Sequence, residues 1–564
     1  MRPTENGRRV KRLGPLAVAL AIALTACTRV ATTQQGPDTA VGDAAAPGQR
    51  HAWTRPGVLR LASLSDPDTL SPLVGSFQVD TDLSMFWAGY LFNVDDKNRI
   101  VPELATEFPT LANGGISPDG LTITYHLRKG VLWHDGAPFG ADDVKFTWQA
   151  VMNPNNDVGN RQGYDLVTAI DTPNQLTAIV HLKHSFAPFV NTFLTMGSSA
   201  YPVYPKHLLA KFPDLNRVPY NSKPIGTGPF IVQEWHRGQT LRMIANPHYW
   251  RGAPKLKQID YRAIPDENTL TTSMRTHEID MWYNASSANY ATASKIPDTL
   301  ALLTPFTQFS MLAFNNARPA LADVAVRRAL ALATDRKRLI ETVTYGVNTL
   351  NEGDQPSYSW AYDASLKPVP FDPAQARAAL DAAGWIPGPD GVRAKNGQRL
   401  RLSVATTTGN AVGARTAVQL QSTWKDIGVE LEVKQYASAL MFAGYTAGGI
   451  LKTGKFDVAF YSWVNGIDPD DSTLFMCDQF PPAGYNQEHF CNHDLDAQER
   501  IALASNDQAV RKRAYERIQA TLVDRLPGLT MWFNRRFDVV SVDLKNYKPA
   551  HTVTTFWNTW EYDI

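Results

Sequence analysis

The sequence predicts a large globular protein of the α/β class, folded as two or more lobes. Three observations carry this. At 564 residues the chain is longer than a single hydrophobic core supports well. Its composition, 44% hydrophobic and 19% charged, is that of a folded chain and not a disordered one. The stretch from Thr122 to Asn153 reads as strand, turn and helix in succession. Thr122, Thr124, His126 and Arg128 alternate with Ile123, Tyr125 and Leu127, the period of a strand. Asp135-Gly136 makes a tight turn. Gly140-Ala141-Asp142-Asp143 then opens a helix, its carboxylates at the positive end of the helix dipole. Val144, Thr147, Trp148 and Val151 share the buried face, and Pro154 lies just past the end.

A net charge of +1 argues against nucleic acid or an anionic membrane face as the main partner. The 14 Trp, 20 Tyr and 24 Phe are enough to fill a core and also to line a large cleft. At the N-terminus, Arg8, Arg9, Lys11 and Arg12 precede the apolar run Leu13 to Leu24, which is short for a membrane span. It ends in Leu24-Thr25-Ala26-Cys27, which resembles the lipobox of bacterial lipoproteins. That resemblance implies a signal peptide over 1–27 and a diacylated Cys27 holding the protein on a membrane surface. The alternative is an ordinary secretory signal with a chance cysteine. Residues 28–52, rich in Ala, Gly, Thr, Gln and Asp, read as a flexible tether.

The body continues with Val58 to Ala62, a short strand, and then Asp66-Pro67-Asp68-Thr69-Leu70-Ser71-Pro72. Val101-Pro102-Glu103-Leu104-Ala105 precedes the strand–turn–helix unit. Ile225-Gly226-Thr227-Gly228-Pro229-Phe230 is a glycine turn leading into a strand. A phosphate cradle is rejected there, because no Gly-Lys-Ser/Thr follows and no helix starts at the loop. Then come Asn246-Pro247-His248-Tyr249-Trp250-Arg251-Gly252, Glu278-Ile279-Asp280 and Phe314-Asn315-Asn316. In Val326 to Arg336, Val326, Leu330 and Ala333 fit one buried helical face, and Asp335 caps the next turn. Asp372-Pro373 starts a further helix that Gly384 ends.

Taken in order, these segments and the run W-H-D-G-x-P-F-x-A-D-D-V-x-F over Trp133–Phe146 resemble the extracellular solute-binding proteins of ABC importers. Within that group they are similar to the large oligopeptide- and dipeptide-binding family 5. His277 stands where the family's G-E-[IV]-D motif has Gly, a position that implies left-handed backbone. The resemblance implies a two-lobed α/β clamshell of the periplasmic-binding type, with the ligand between the lobes. It assigns 53–312 to the first lobe, with an inserted subdomain near 101–214. The second lobe is 313–529, and 530–564 return to the first. The crossings near Ala313-Phe314 and Leu529-Thr530 are the hinge candidates. Implied partners are a small peptide or other small solute, an ABC permease and its ATPase subunits; a monomer is expected, with no nucleic acid and no cofactor.

For the ligand, Phe456 to Asp470 resembles the family segment in which a Trp and an Asp-rich loop face the cleft. Candidate binding residues are Asn315, Tyr461, Trp463, Asn465, Gly466 and Asp468. The family's Asp that pairs with a peptide's α-amine aligns with Gly466, so Asp470 or Asp471 would have to substitute. Plainer roles stand beside this: Trp463 as core, and Asp468 to Asp471 as a solvated turn or a calcium loop. That loop lacks the Gly and distal Glu of an EF-hand. Cys477 and Cys491 read as a disulfide in an exported chain, the alternatives being free thiols or a metal set with His489 and His493.

No G-x-S-x-G, H-E-x-x-H or P-loop motif occurs. The 12 His are scattered, and His134 reads as a solvated turn residue. An enzyme is not expected. The leading reading is capture of short peptides for import. Its alternatives are an oligosaccharide or other non-peptide solute, or a ligand-sensing lipoprotein without a permease.

Overall fold

The computed structural model describes residues 50–75, 77–196, 200–552 and 555–564. The expected export segment with Cys27, and residues 28–49 of the tether, lie outside the described residues. Among the described residues no helix is long and apolar enough to cross a membrane.

Ten strands form one mixed sheet. Numbered along the chain they are β1 (Val58–Ser63), β2 (Phe230–His236), β3 (Thr240–Ala245), β4 (Gln258–Ala263) and β5 (Met281–Ala285), then β6 (Thr299–Phe314), β7 (Arg401–Thr407), β8 (Glu430–Tyr436), β9 (Val458–Val464) and β10 (Gly528–Ser541). Their order across the sheet is β8-β7-β9-β6-β10-β5-β1-β4-β3-β2.

The fold is a two-lobed α/β structure, and β6 and β10 each change partners along their length. Thr299–Pro305 of β6 pairs with Ser541–Arg535 of β10, beside β5. Phe309–Ala313 pairs with Phe533–Gly528, beside β9. The register shifts between Pro305 and Phe309 and again between Ser310 and Met311. A proline has no N–H to give a ladder, and a shifted register bends a strand pair. The packing changes at the same place. Leu303, Phe537 and Val539 pack with Leu270 and Trp282. Leu312, Phe314 and Leu529 pack with Val326, Leu330, Val404 and Val458.

The strand–turn–helix unit forms as its pattern predicts. The strand is Thr122–His126 and the helix Ala141–Met152, with Val144, Thr147 and Val151 buried and Trp148 half-buried. The strand joins Thr177–Leu182 and Val167–Asn174 in a separate antiparallel sheet. The expected caps form too: Asp335 accepts from the Arg338 N–H and Asp372 from that of Gln375. His277 is left-handed, at φ 55°.

His134 corrects the sequence reading. It is not solvated but clamps the turn at Gly226–Gly228. Its Nδ1 accepts from the Gly226 N–H at 3.1 Å, and its Nε2 lies 3.0 Å from the Gly228 carbonyl. Both bonds form when the proton sits on Nε2. The turn needs its glycines, since a Cβ on Gly226 would lie 1.7 Å from the Trp87 carbonyl oxygen. Burial pushes the His134 pKa down to about 4. The unfolded imidazole binds its proton near 6.5, so between these values the unfolded chain holds more protons and stability falls as pH falls. His134→Gln can make both bonds without titrating. Urea denaturation should show wild type losing more stability than this variant between pH 7 and pH 4.5; equal losses would remove His134 from the account.

Candidate ligand-binding cleft

The site is built where β9 ends beside the register shift of β6 and loops from distant parts of the chain converge. A cavity of about 420 Å³ has Ile100, Phe108, Val190 and Asn191 on one side and Gln355, Tyr358, Trp360 and Ile467 on the other. Thr307, inside the register shift of β6, also lines it. A second cavity of about 300 Å³ is lined by Gln162, Asn191, Trp463, Asn465, Gly466, Asp470 and Tyr485. Asn191 and Gly466 line both.

Direct bonds tie the two walls together. Asn191 Nδ2 donates to Asp468 Oδ2 at 2.8 Å, and Gln162 Nε2 to Asp470 Oδ2 at 3.1 Å. The Ala187 N–H donates to the Leu503 carbonyl at 2.7 Å.

Asp468 is committed to Arg511. Two guanidinium nitrogens approach it at 2.9 and 2.5 Å, and both side chains are buried. A planar guanidinium meets a carboxylate through paired bonds, which fixes geometry as well as charge. The pair braces the loop after β9 against the helix Gln508–Arg525. Arg511 lines the larger cavity but brings no unbalanced charge to it.

Asn465 is buried and held on both sides. Its N–H donates to the Thr307 carbonyl at 3.1 Å, and its Nδ2 to the Asp354 carbonyl at 2.7 Å. That orientation leaves Oδ1 as an acceptor with no partner. Asn191 is in the same position, its Nδ2 committed to Asp468 and its Oδ1 unpartnered. Asp470 takes the Ser472 N–H at 3.1 Å and hydroxyl at 2.6 Å on one oxygen and Gln162 on the other. Burial pushes its pKa up. Asp470 thus lines the smaller cavity with a carboxylate, beside the rings of Trp463 and Tyr485, while the two amide oxygens lie buried. No Lys or Arg lines this cavity.

Trp463 is half-buried and packs on Tyr485 at 5.1 Å. Tyr485 is carried by the loop that the Cys477–Cys491 disulfide closes, with Cα atoms 4.6 Å apart. His493 Nδ1 sits 3.8 Å from Cys477 Sγ, while His489 packs on Phe480. The other two candidates are placed elsewhere. Tyr461 is buried and donates to Glu488 Oε1 at 3.0 Å, and Asn315 donates to the carbonyls of Gly454 and Phe456. Neither is among the residues lining the two cavities.

Sequence reasoning did not find Gln162, Asn191, Gln355, Tyr358, Trp360, Tyr485 or Arg511. They lie up to hundreds of residues apart, and each is an ordinary residue in its own segment. The unpaired acid at Asp468 was the one available signal, because a carboxylate bound for the interior needs a cation from elsewhere.

A model of bacterial extracellular solute-binding proteins, family 5, matches residues 99–485. The chain belongs to this family. Among its relatives, Protein XP55 of Streptomyces lividans is 30% identical over 468 residues, 83% of this chain and 81% of the relative. The oligopeptide-binding protein AppA of Bacillus subtilis is 26% identical over 498 residues, 87% and 89% of the two chains. The crystal structure of NikZ from Campylobacter jejuni in complex with Ni(L-His) is similar in fold. Its TM-score is 0.77 at 24% identity, covering 91% of this chain and 100% of that one. As a family 5 protein the chain is an extracellular solute-binding protein.

Asp471, next along the chain from Asp470, lines neither cavity. It faces Asp354 and Glu499, and all three side chains are buried. No Lys or Arg pairs with any of them among the described residues. Burial raises all three pKa values. The carboxylates of Asp468, Asp470 and Asp471 go to three different neighbours, so they do not form a common calcium cage. With folded-state pKa values above the unfolded ones, the native state binds more protons. The trio's contribution is complete at acidic pH and is lost as pH rises. The trio thus opposes His134, and denaturant unfolding should show Glu499→Gln gaining stability relative to wild type as pH rises from 5 to 8. An unchanged difference between the two proteins across that range would show that the trio does not hold protons.

Proposed function

We propose that the protein captures a short peptide between its lobes and delivers it to an ABC permease whose ATPase subunits power import, while a diacylated Cys27 tethers it to the membrane. The observation that carries this is the adjoining pair of cavities with a largely neutral lining. Asn, Gln, Thr and Ser groups can bond a peptide main chain, and apolar and aromatic walls take varied side chains. The name of the AppA relative, an oligopeptide-binding protein, supports the same class. Nothing in the cleft needs an activated nucleophile; its work is capture and release.

The ammonium of the peptide is assigned to the smaller cavity, with Asp470 as its charged partner. Asp471 is not suited, being buried among other acids. The hinge is assigned to the register break at Pro305–Phe309 and the facing residues Phe533–Arg535. This is a few residues from the crossings near Ala313-Phe314 and Leu529-Thr530. Closure follows from the solute's greater affinity for the closed lobes.

A second reading keeps the importer role for a non-peptide solute. It is favoured by Gly466 at the position of the family's amine-binding Asp, and by the NikZ neighbour, which holds a metal–amino acid complex. A sensor without a permease is a third, separated by whether permease and ATPase genes lie beside this one.

Native mass spectrometry of the soluble form starting at Thr28, purified gently from its host, should show a ladder of adducts at peptide masses. Hexose-spaced or single non-peptide adducts would overturn the peptide reading. With a bound tripeptide in hand, Asp470→Asn should weaken binding by roughly 10- to 100-fold, as for one charged hydrogen bond of about 1.5–3 kcal/mol. The N-acetylated tripeptide should bind both proteins alike. Equal loss for both ligands would take the ammonium away from Asp470.

A further inference from the structure

One ring in the wall of the smaller cavity is held by a residue outside that wall. Tyr485 lines the cavity beside Trp463 and Thr473, and Lys452 does not. Lys452 sits in the turn before β9, where the Gly454 N–H donates to the Leu451 carbonyl at 3.1 Å. Its ammonium lies over the Tyr485 ring, 3.3 Å from the centroid, and donates to the Gly484 carbonyl at 2.6 Å.

Both contacts act on the same short piece of chain. The Gly484 carbonyl belongs to the peptide bond whose N–H is that of Tyr485, and this N–H donates to the Thr473 carbonyl at 2.9 Å. The peptide unit is therefore held at both ends, and the ring it carries is held by a charge on one face. The rest of the loop is fixed without Lys452. Asn486 Nδ2 donates to the Met476 carbonyl at 3.0 Å and the Phe490 carbonyl at 2.7 Å, and the Cys477–Cys491 disulfide closes the loop. The bridge and Asn486 set where the loop lies; Lys452 sets how Tyr485 faces.

Nothing else in the fold explains this charge. Lys452 is half-buried, and desolvation alone pushes its pKa down to about 8, with no carboxylate near enough to oppose that among the described residues. The unfolded side chain binds its proton near 10.5. Between these values the unfolded chain holds more protons, so stability rises with pH there, and below pH 8 the buried charge lowers stability by its full amount. A cation kept at a cost to the fold, with both its contacts on one residue of the cavity wall and its neighbour, has its use in the cavity.

We propose that Lys452 is a positioning residue for solute capture, holding the Tyr485 ring as a fixed wall of the smaller cavity through its ammonium. The proposal rests on the reading of that cavity as a solute site. Attraction to the ring needs the charge, since a neutral amine has no monopole to set against the ring's negative face. The wall should therefore loosen as Lys452 loses its proton, and an arginine should hold it at every pH where the protein is folded.

Two measurements test this. The first needs no solute: NMR of protein carrying ring-¹³C tyrosine, with the Tyr485 signal assigned by its absence in Tyr485→Phe. In wild type this signal should move between pH 7 and pH 9, and in Lys452→Met and Lys452→Arg it should stay fixed. The second is native mass spectrometry of the adducts co-purified from the host, after identical dialysis. Lys452→Met should retain them roughly tenfold less than wild type at pH 7, the worth of one partly desolvated cation–π contact, and Lys452→Arg should retain them as wild type does. Should Lys452→Met fail to fold, the comparison at pH 9 replaces it: Lys452→Arg should keep adducts that wild type loses. A Tyr485 signal indifferent to pH, or a Lys452→Met protein that retains adducts as wild type does, would overturn the proposal. If wild type carries no adducts, the solute reading fails on its own; a Tyr485 signal that follows pH then still supports the hold of Lys452 on the ring, and a silent one overturns it.

Discussion

The rest of the structure depends on two strands being long enough to join two parts of one sheet. β6 has 16 residues and β10 has 14, and each spends one half in either part of the sheet. A sheet cannot continue unbroken through such a change of partners. The ladder slips at Pro305–Phe309, and the core on one side of the slip is different from the core on the other. Because the slip leaves backbone and side chains unpaired by the ladder, Thr307 is free to present its carbonyl to Asn465 and its side chain to the cavity. The larger cavity is built beside this defect in the sheet.

Charge is managed by pairing before the ligand arrives. The buried Asp468–Arg511 pair is expensive to desolvate and repays that only through bidentate geometry. What it supplies is a rigid seat for the loop from Asn465 to Asp470. Once Asp468 is neutralised, the smaller cavity is left with the carboxylate of Asp470 and no cation in its lining. Electrostatic complementarity of this kind sets specificity more than raw affinity.

Local features were legible in the sequence wherever a short-range rule acts. The helix caps at Asp335 and Asp372, the left-handed position at His277 and the helical face of Val326, Leu330 and Ala333 follow from backbone geometry and periodicity, and all are present. The order of family motifs carried the fold class. The site was legible only in part. Trp463, Asn465, Gly466 and Asp468 meet at the cavities because one loop carries them. Tyr461 and Asn315 point to buried partners, since the face a strand residue adopts depends on a register that no local pattern states. His134 misled for the same reason: a turn residue looks solvated until the glycine turn some 90 residues later is packed against it.

The central claim is that the walls of the cleft move about the break in β6 and β10 and close on a solute. Small-angle X-ray scattering on protein stripped of its solute by unfolding and refolding, and then reloaded with the co-purified solute, tests it directly. The account predicts a larger radius of gyration for the stripped protein and a return to the compact value on loading. Identical scattering with and without solute, with binding verified in the same samples, would contradict it.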